Sequence, residues 1–457
     1  MKSSAVVLLV LLCTLAAACT TGPTGGPRTR PVDSSDPSAA PRPITLSATD
    51  WPTYHHDNQR SGTGVATPSL GRLSRAWSAR LDGAVYGQPL VLGGRVLAAT
   101  EQDSVYALRA ADGHVLWSRH LGTPQPKSGL PCGDIDPLGI TGTAAYDART
   151  GLVFVVAETV GGRHTLYGLN ARTGSVVLRR SVEPPRGKAA DHQQRAALTV
   201  SQGRVYIAYG GLFGDCGDYV GSVVSVPTSG TGPARSYAVP TAKLGGIWAP
   251  AGGVVVDGKL LYAVGNGAST DRYDHSDAVL ALTPALRLAD SFSPARWAKD
   301  NANDLDIGST SPAVVHDYVY IDGKRGVGYV LDRRHLGGVG GAVSQTPVCR
   351  AFGGDAVAGS TVYVPCTRGI SAVAVDQSGH ASILWSSTAG SGSPVVGGGA
   401  VWTVDLDRGD LVALDQRSGA VRARQHIGRA PHFASPTLSG SRAYVGTLDG
   451  VVAIDGV

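Results

Sequence analysis

Short runs of alternating apolar and polar positions recur along this chain. Arg95-Val96-Leu97-Ala98-Ala99-Thr100, Gly203-Arg204-Val205-Tyr206-Ile207-Ala208-Tyr209 and Ser441-Arg442-Ala443-Tyr444-Val445-Gly446-Thr447 each follow turn residues and carry a period of two, the mark of half-buried β-strands. No long stretch keeps a helical period. A second pattern follows such runs: a small residue, an apolar anchor, then Asp, Asn or Ala and a glycine turn. Its clearest copies are Val105-Tyr106-Ala107-Leu108-Arg109-Ala110-Ala111-Asp112-Gly113, Leu166-Tyr167-Gly168-Leu169-Asn170-Ala171-Arg172-Thr173-Gly174 and Leu411-Val412-Ala413-Leu414-Asp415-Gln416-Arg417-Ser418-Gly419. It occurs eight times, with anchors at Leu108, Leu169, Val226, Leu282, Leu331, Val375, Leu414 and Ile454. The 346 positions from first to last anchor, over seven intervals, give a period of about 49 residues, which signals solenoids, propellers or arrays. About four strands fit one period, and four-stranded sheets repeated radially close into a ring with few exposed edges. The expected fold is all-β: an eight-bladed β-propeller of four-stranded antiparallel blades.

The ends of the array are complementary. Trp77-Ser78-Ala79-Arg80-Leu81 matches Trp117-Ser118-Arg119-His120-Leu121, the last strand of a unit, yet has no earlier strands of its own. The final unit stops at Ile454-Asp455-Gly456-Val457 without that strand. The two termini are therefore expected to complete one blade together.

Composition refines this picture. A charged fraction of 16% with 62 glycines suits many short strands and tight turns. The net charge of +5 comes from scattered Lys and Arg without runs or interleaved aromatics, so nucleic-acid binding is not indicated. Met1-Lys2, an apolar stretch from Ala5 to Leu12 and Leu15-Ala16-Ala17-Ala18-Cys19 read as a signal peptide over residues 1–18. A cysteine after three small residues resembles the lipobox of bacterial lipoproteins, which implies lipidation of Cys19 and anchorage on the extracytoplasmic face of a membrane. Residues 19–43 are rich in Pro, Gly, Ser and Thr and read as a linker, leaving 44–457 for the propeller. With Cys13 in the signal and Cys19 lipidated, Cys132, Cys216, Cys349 and Cys366 remain, an even number that argues for two disulfides. Of the three pairings, Cys132 with Cys216 and Cys349 with Cys366 is the one expected.

The units resemble the quinoprotein repeat, named for pyrroloquinoline quinone (PQQ): a Val-Tyr or Leu-Tyr strand, Ala-Leu-Asp, a Thr-Gly turn and Val-x-Trp, from about Trp51 onward. The resemblance covers both PQQ-dependent alcohol dehydrogenases and non-enzymatic lipoproteins such as the outer-membrane assembly propeller, and a repeat does not choose between them. Trp77, Trp117, Trp385, Tyr106 and Tyr167 are assigned to packing. A PQQ site needs an aromatic floor, a cation on the acidic edge, a Lewis-acid metal and a base. Gly245-Gly246-Ile247-Trp248-Ala249-Pro250 and Leu261-Tyr262-Ala263-Val264-Gly265-Asn266-Gly267 are similar to the segments carrying the stacking Trp and a metal-ligating Asn. By the same resemblance Glu158 and Asp306 join Asn266 on Ca2+ or a lanthanide, Asp304 becomes the catalytic base, and Lys324 contacts the quinone. No adjacent Cys-Cys pair and no haem motif accompany them.

Three loops stand outside the repeat: Cys132–Pro137, Asp191–Arg195 and Gly214–Tyr219. Their acids suit either a Ca2+ site or a solvated rim, and His192 with Arg195 either an anionic ligand or a structural role. No H-E-x-x-H, G-x-S-x-G or phosphate-binding glycine loop occurs. A sugar-active carboxylate pair stays open, since distances between blades are invisible in sequence. The expectation is a monomeric, lipid-anchored module that binds a ligand or scaffolds protein partners at the membrane; the alternative is a PQQ- and metal-dependent alcohol dehydrogenase.

Overall fold

A computed structural model describes residues 41–457; the expected signal peptide, Cys19 and most of the linker lie outside the described residues. Eight sheets of four strands form the blades, two of them extended by a fifth strand. In blade 1 the strands run Leu90–Leu92, Arg95–Ala99, Ser104–Arg109 and Val115–His120 from the axis outward. The inner strand is buried throughout, whereas the outer one is mostly exposed. That gradient explains the apolar inner runs and the polar last strands. All eight anchors sit on the third strand of a blade, and each has 0% exposure. Register shifts recur at Leu108, Leu169, Leu282 and Leu414, where a bulge adds twist to the blade.

The ring closes as the sequence implies. Ser74–Arg80 pairs antiparallel with Gly450–Asp455, with Trp77 opposite Ala453 and Arg80 opposite Gly450. The last blade thus has three strands from the C-terminus and its outer strand from the N-terminal side. One buried apolar cluster runs across this junction, joining Trp77, Trp402, Leu438, Tyr444 and Ile454 to Leu108. The two disulfides also form as expected, Cys132 with Cys216 and Cys349 with Cys366, which fits an oxidising, extracytoplasmic compartment.

The repeat tryptophans lock neighbouring blades. Trp77 lies over Gly113 of the next blade, so close that a Cβ there would fall 2.6 Å from the ring, and its Nε1 donates to the Ala110 carbonyl at 3.0 Å. Trp117 over Gly174 and Trp385 over Gly419 repeat the contact, donating to Ala171 and Gln416. The three glycines have φ between +70° and +75°, so conformation and space both exclude a side chain. Elsewhere Leu178 covers Gly230 and Tyr318 covers Gly379.

A segment with no predicted role binds the inner strands together. Trp51 bridges Val91 of blade 1, Pro52 accepts from Tyr146 of blade 2, and Asn58 accepts from Val255 of blade 4. Arg60 donates to Leu198 and Thr199 of blade 3, Ser61 accepts from Val357 of blade 6, and Gly62 accepts from Val396 of blade 7. His55 donates from Nδ1 to the Asp355 carbonyl at 3.0 Å, and the Ser435 hydroxyl meets its Nε2 at 3.0 Å. Burial holds this imidazole neutral, with its pKa lowered to about 3. The strap therefore ties seven blades across one end of the axis.

Two outcomes follow for stability. Gly94 and Gly174 both have positive φ, but nothing lies within 4 Å of a Cβ at Gly94 while Trp117 fills that place at Gly174. Gly94→Ala should cost about 1–2 kcal/mol for conformation alone. Gly174→Ala should cost more, by the lost stacking, in denaturant unfolding; equal losses would remove the interlock. Deleting Ala453–Val457 should abolish cooperative melting, and an unchanged melting temperature would mean that the shared blade does not hold the ring.

Candidate functional site

Blades 4 and 5 bring the candidate residues together at the axis. Trp248 enters on the loop before the inner strand Val254–Val256, where Gly210, Gly246 and Gly265 leave room for its ring. A Cβ on Gly265 would lie 3.4 Å from Trp248 Nε1 and 3.6 Å from Asp306 Oδ1, so indole and carboxylate both border this glycine. Lys324 follows the strand Tyr318–Ile321 and places its Nζ 5.7 Å from the Trp248 ring centroid. That ammonium donates to Asp304 Oδ1 at 2.5 Å and forms an ion pair with Asp306, 2.8 Å from its Oδ2. Asp304 ends the helix Trp297–Asn303 in a left-handed conformation, which turns it back toward Lys324. Asp306 is completely buried, and burial raises its pKa against the opposing pull of Lys324. Burial works against the Lys324 ammonium too, but Asp306 and Asp304 outweigh it and lift its pKa.

Asn266 adjoins this group through its backbone, its carbonyl accepting from Gly245 at 2.8 Å. Glu158 has a different partner. Buried on the strand Leu152–Thr159 of blade 2, its Oε2 lies 3.3 Å from His164 Nε2, and His164 Nδ1 reaches Glu183 at 3.1 Å. The structure thus unites Trp248, Lys324, Asp304 and Asp306, sets Asn266 beside them, and commits Glu158 to a buried imidazole.

Phe433 and Asp277 escaped the sequence reading, and Arg195, named there with His192, lies with Phe433. Phe433, at φ +66°, packs on Trp248 with ring centroids 5.9 Å apart. Arg195 lies 4.5 Å from the Phe433 centroid and 5.7 Å from that of Tyr86, and donates to the His432 carbonyl. Only about 10 Å³ of space remains among Tyr54, Tyr86, Arg195, His432, Phe433 and Ser435. The larger depressions, about 720 and 580 Å³, lie between blades and away from these groups. Asp277 is also buried here, its Oδ1 accepting from Ile307 at 2.9 Å, and burial followed by Asp306 keeps its pKa well above the usual carboxylate range. It has φ +45°, at a turn where blade 7 uses Gly409; an acid at a glycine position was the available signal.

The candidate loops resolve into structure. His192 is fully buried, its Nδ1 donating to Lys188 and its Nε2 accepting from Val220, so it serves the loop and not a ligand. Asp191 accepts from Asp218, Asp136 from Lys127, and Asp215 from the Tyr219 hydroxyl. Among the described residues no three His, Cys, Asp or Glu side chains are arranged to hold a metal ion. As arranged, the residues do not fit a metal-bound quinone: Lys324 occupies Asp306, His164 occupies Glu158, and Phe433 lies against Trp248.

The fold is an eight-bladed β-propeller, and part of the chain is similar to a family of PQQ-like repeats. Residues 74–264 match the family model described as outer membrane protein assembly factor BamB. The chain is 24% identical over 361 residues to a polyvinylalcohol dehydrogenase of a Sphingopyxis species, a match covering 67% of this chain and 52% of that relative. It therefore spans about half the length of that curated relative. Among solved structures, a quinohemoprotein alcohol dehydrogenase from Pseudomonas putida superposes with TM-score 0.73 at 14% identity, covering 92% of this chain and 83% of the other. BamB from Moraxella catarrhalis gives 0.60 at 18% identity, covering 84% and 99%. At such identities the two structures share the fold alone.

The buried charges near blade 2 make stability depend on pH. Burial lifts Glu101 from 4.5 to about 7 and Asp103 from 3.8 to about 8. Burial alone would depress His164, but Glu158, with Glu183, raises it from 6.5 to about 9. In each case the folded state binds more protons than the unfolded one, so stability is greatest below the unfolded value and is lost as pH rises through the folded one. The melting temperature should fall steadily between about pH 5 and pH 9, and Asp103→Asn should flatten that slope by up to about 1.4 kcal/mol per pH unit. A variant with the parental slope would contradict the assignment.

Proposed function

We propose that this chain is a lipid-anchored, extracytoplasmic propeller that works as a ligand-binding or protein-scaffolding module. One observation carries the reading: Asp304, Asp306 and Glu158 each already have a basic side chain of the chain itself beside them. Lys324 lies between Asp304 and Asp306, His164 pairs with Glu158, and Phe433, with Arg195 over its ring, packs beside Trp248. A buried charge needs such a partner, and here the partners come from the chain and not from a bound ion. The two disulfides and the lipobox-like Cys19 support placement outside the cytoplasm, tethered through residues 19–43. Binding would then fall to the axial mouth or to the faces of the blades.

A second reading is favoured by a specific fact: Trp248, Lys324, Asp304 and Asp306, drawn from three separate segments, meet at one point. Under it, the chain is a PQQ-dependent alcohol dehydrogenase whose bound quinone would supply the oxidant. Glu158, Asn266 and Asp306 would hold Ca2+ or a lanthanide, Trp248 would be the floor, Lys324 the cation and Asp304 the base. That arrangement needs Phe433 moved off Trp248 and Glu158 released from His164.

Titrating the purified full chain with PQQ, in Ca2+ or a lanthanide, separates the two readings by quinone absorbance and tryptophan fluorescence. The binding-module reading expects no saturable signal with either metal. Saturable one-to-one binding that requires metal and disappears in Trp248→Ala would overturn it in favour of the dehydrogenase.

A further inference from the structure

Blades 5 and 6 enclose a second group of acids that the centre above does not use. Asp322 follows the strand Tyr318–Ile321, and Asp355 precedes the strand Ala356–Ala358 of the next blade. Shared hydrogen bonds draw the two segments together: Ala351 donates to Gly323, Gly353 donates to Ser309, and Thr310 next to it donates to the Asp322 carbonyl. Asp322 is completely buried and Asp355 is 3% exposed. No basic side chain among the described residues pairs with either carboxylate. Asp322 Oδ2 accepts from the Tyr320 hydroxyl at 3.3 Å, while its Oδ1 and both oxygens of Asp355 have no hydrogen-bond partner.

A third buried side chain reaches the segment that carries Asp355 and is not an acid. Tyr54, 1% exposed, projects from the N-terminal strap so that its hydroxyl fills the place a side chain at Gly354 would take, beside Asp355. That hydroxyl is likewise without a partner. Four enclosed oxygens are therefore unused. Leaving each such group unpaired costs about 1–3 kcal/mol, and more where it is charged. All are hard donors without sulfur or nitrogen, the set that selects Ca2+-like cations.

We propose that Asp322, Asp355 and the Tyr54 hydroxyl form a structural site for a hard divalent cation of the Ca2+ type, pinning the N-terminal strap to the junction of blades 5 and 6. Two carboxylates balance the charge of one such ion, and the hydroxyl supplies a neutral donor from the strap. The site is distinct from the Lys324 centre: Asp322 lies two residues from Lys324, but its carboxyl turns toward Tyr320 and away from that ammonium. It does not depend on PQQ binding.

The test uses the full chain freed of metal with a chelator, then returned to Ca2+. Equilibrium dialysis of the parent should find bound Ca2+ at one per chain, and Ca2+ should raise the melting temperature. Tb3+ should bind competitively and show luminescence excited through tyrosine. Losing even an outer partner costs about 10–100-fold in metal affinity, so Asp355→Asn and Asp322→Asn, which remove ligands outright, should lose at least that much. Asp355→Asn should also melt higher than the metal-free parent, because it removes a buried charge, and should gain nothing from Ca2+. Asp306→Asn should keep the parental Ca2+ response. The proposal fails if the parent binds no Ca2+, if the response persists in Asp355→Asn, or if it vanishes only in Asp306→Asn. Should both Asn variants fail to fold, the parent's calcium stoichiometry decides alone.

Discussion

Everything in this molecule depends on how one blade grips the next. A four-stranded sheet cannot bury both faces alone, and each blade here does so only by lying between two others. The grip is specific where an outer-strand Trp covers the glycine turn of the following blade and donates to its carbonyl, as at Trp77, Trp117 and Trp385. The contact acts at the circumference, where blades diverge most and packing would otherwise be thinnest. At the junction it is Trp77 itself, on the strand that completes the last blade, that grips blade 1. Closure and interlock are therefore one event.

At the axis the problem is reversed, because eight inner mouths crowd their polar termini into little space. The chain meets this with local charge pairing: His164 between Glu158 and Glu183, Lys324 between Asp304 and Asp306, and Arg325 on Asp300. It also lays the strap from Trp51 to Gly64 over the inner strands, so that backbone groups of six blades find partners. The strap gives the ring a second closure, independent of the shared blade.

The repeat, the anchors and the split blade were legible because each is written in spacing or in complementary ends. Leu108 through Ile454 sit at one structural position and so leave one sequence signature. The strap left none, since a segment that meets each blade once through Arg60, His55 or Asn58 has no period. The candidate centre was legible only in part. Trp248, Lys324, Asp304 and Asp306 lie in recognisable segments, but what surrounds them comes from other blades. Phe433 reaches Trp248 from 185 positions away along the chain and His164 meets Glu158 across a single hairpin, and neither carries a motif.

That division has a physical consequence for how such propellers acquire or lose chemistry. The ring is held by circumferential contacts and the strap, none of which needs Trp248, Lys324 or Glu158 to be free. Axial side chains can then change their partners without unfolding the scaffold. A carboxylate facing an open axis is a metal ligand; the same carboxylate facing an imidazole is half of a buried ion pair. An indole with one bare face is a floor for a planar ligand, and under a phenyl ring it is core. In this chain His164 sets the first balance toward the buried ion pair, and Phe433 lies beside the indole that the second concerns.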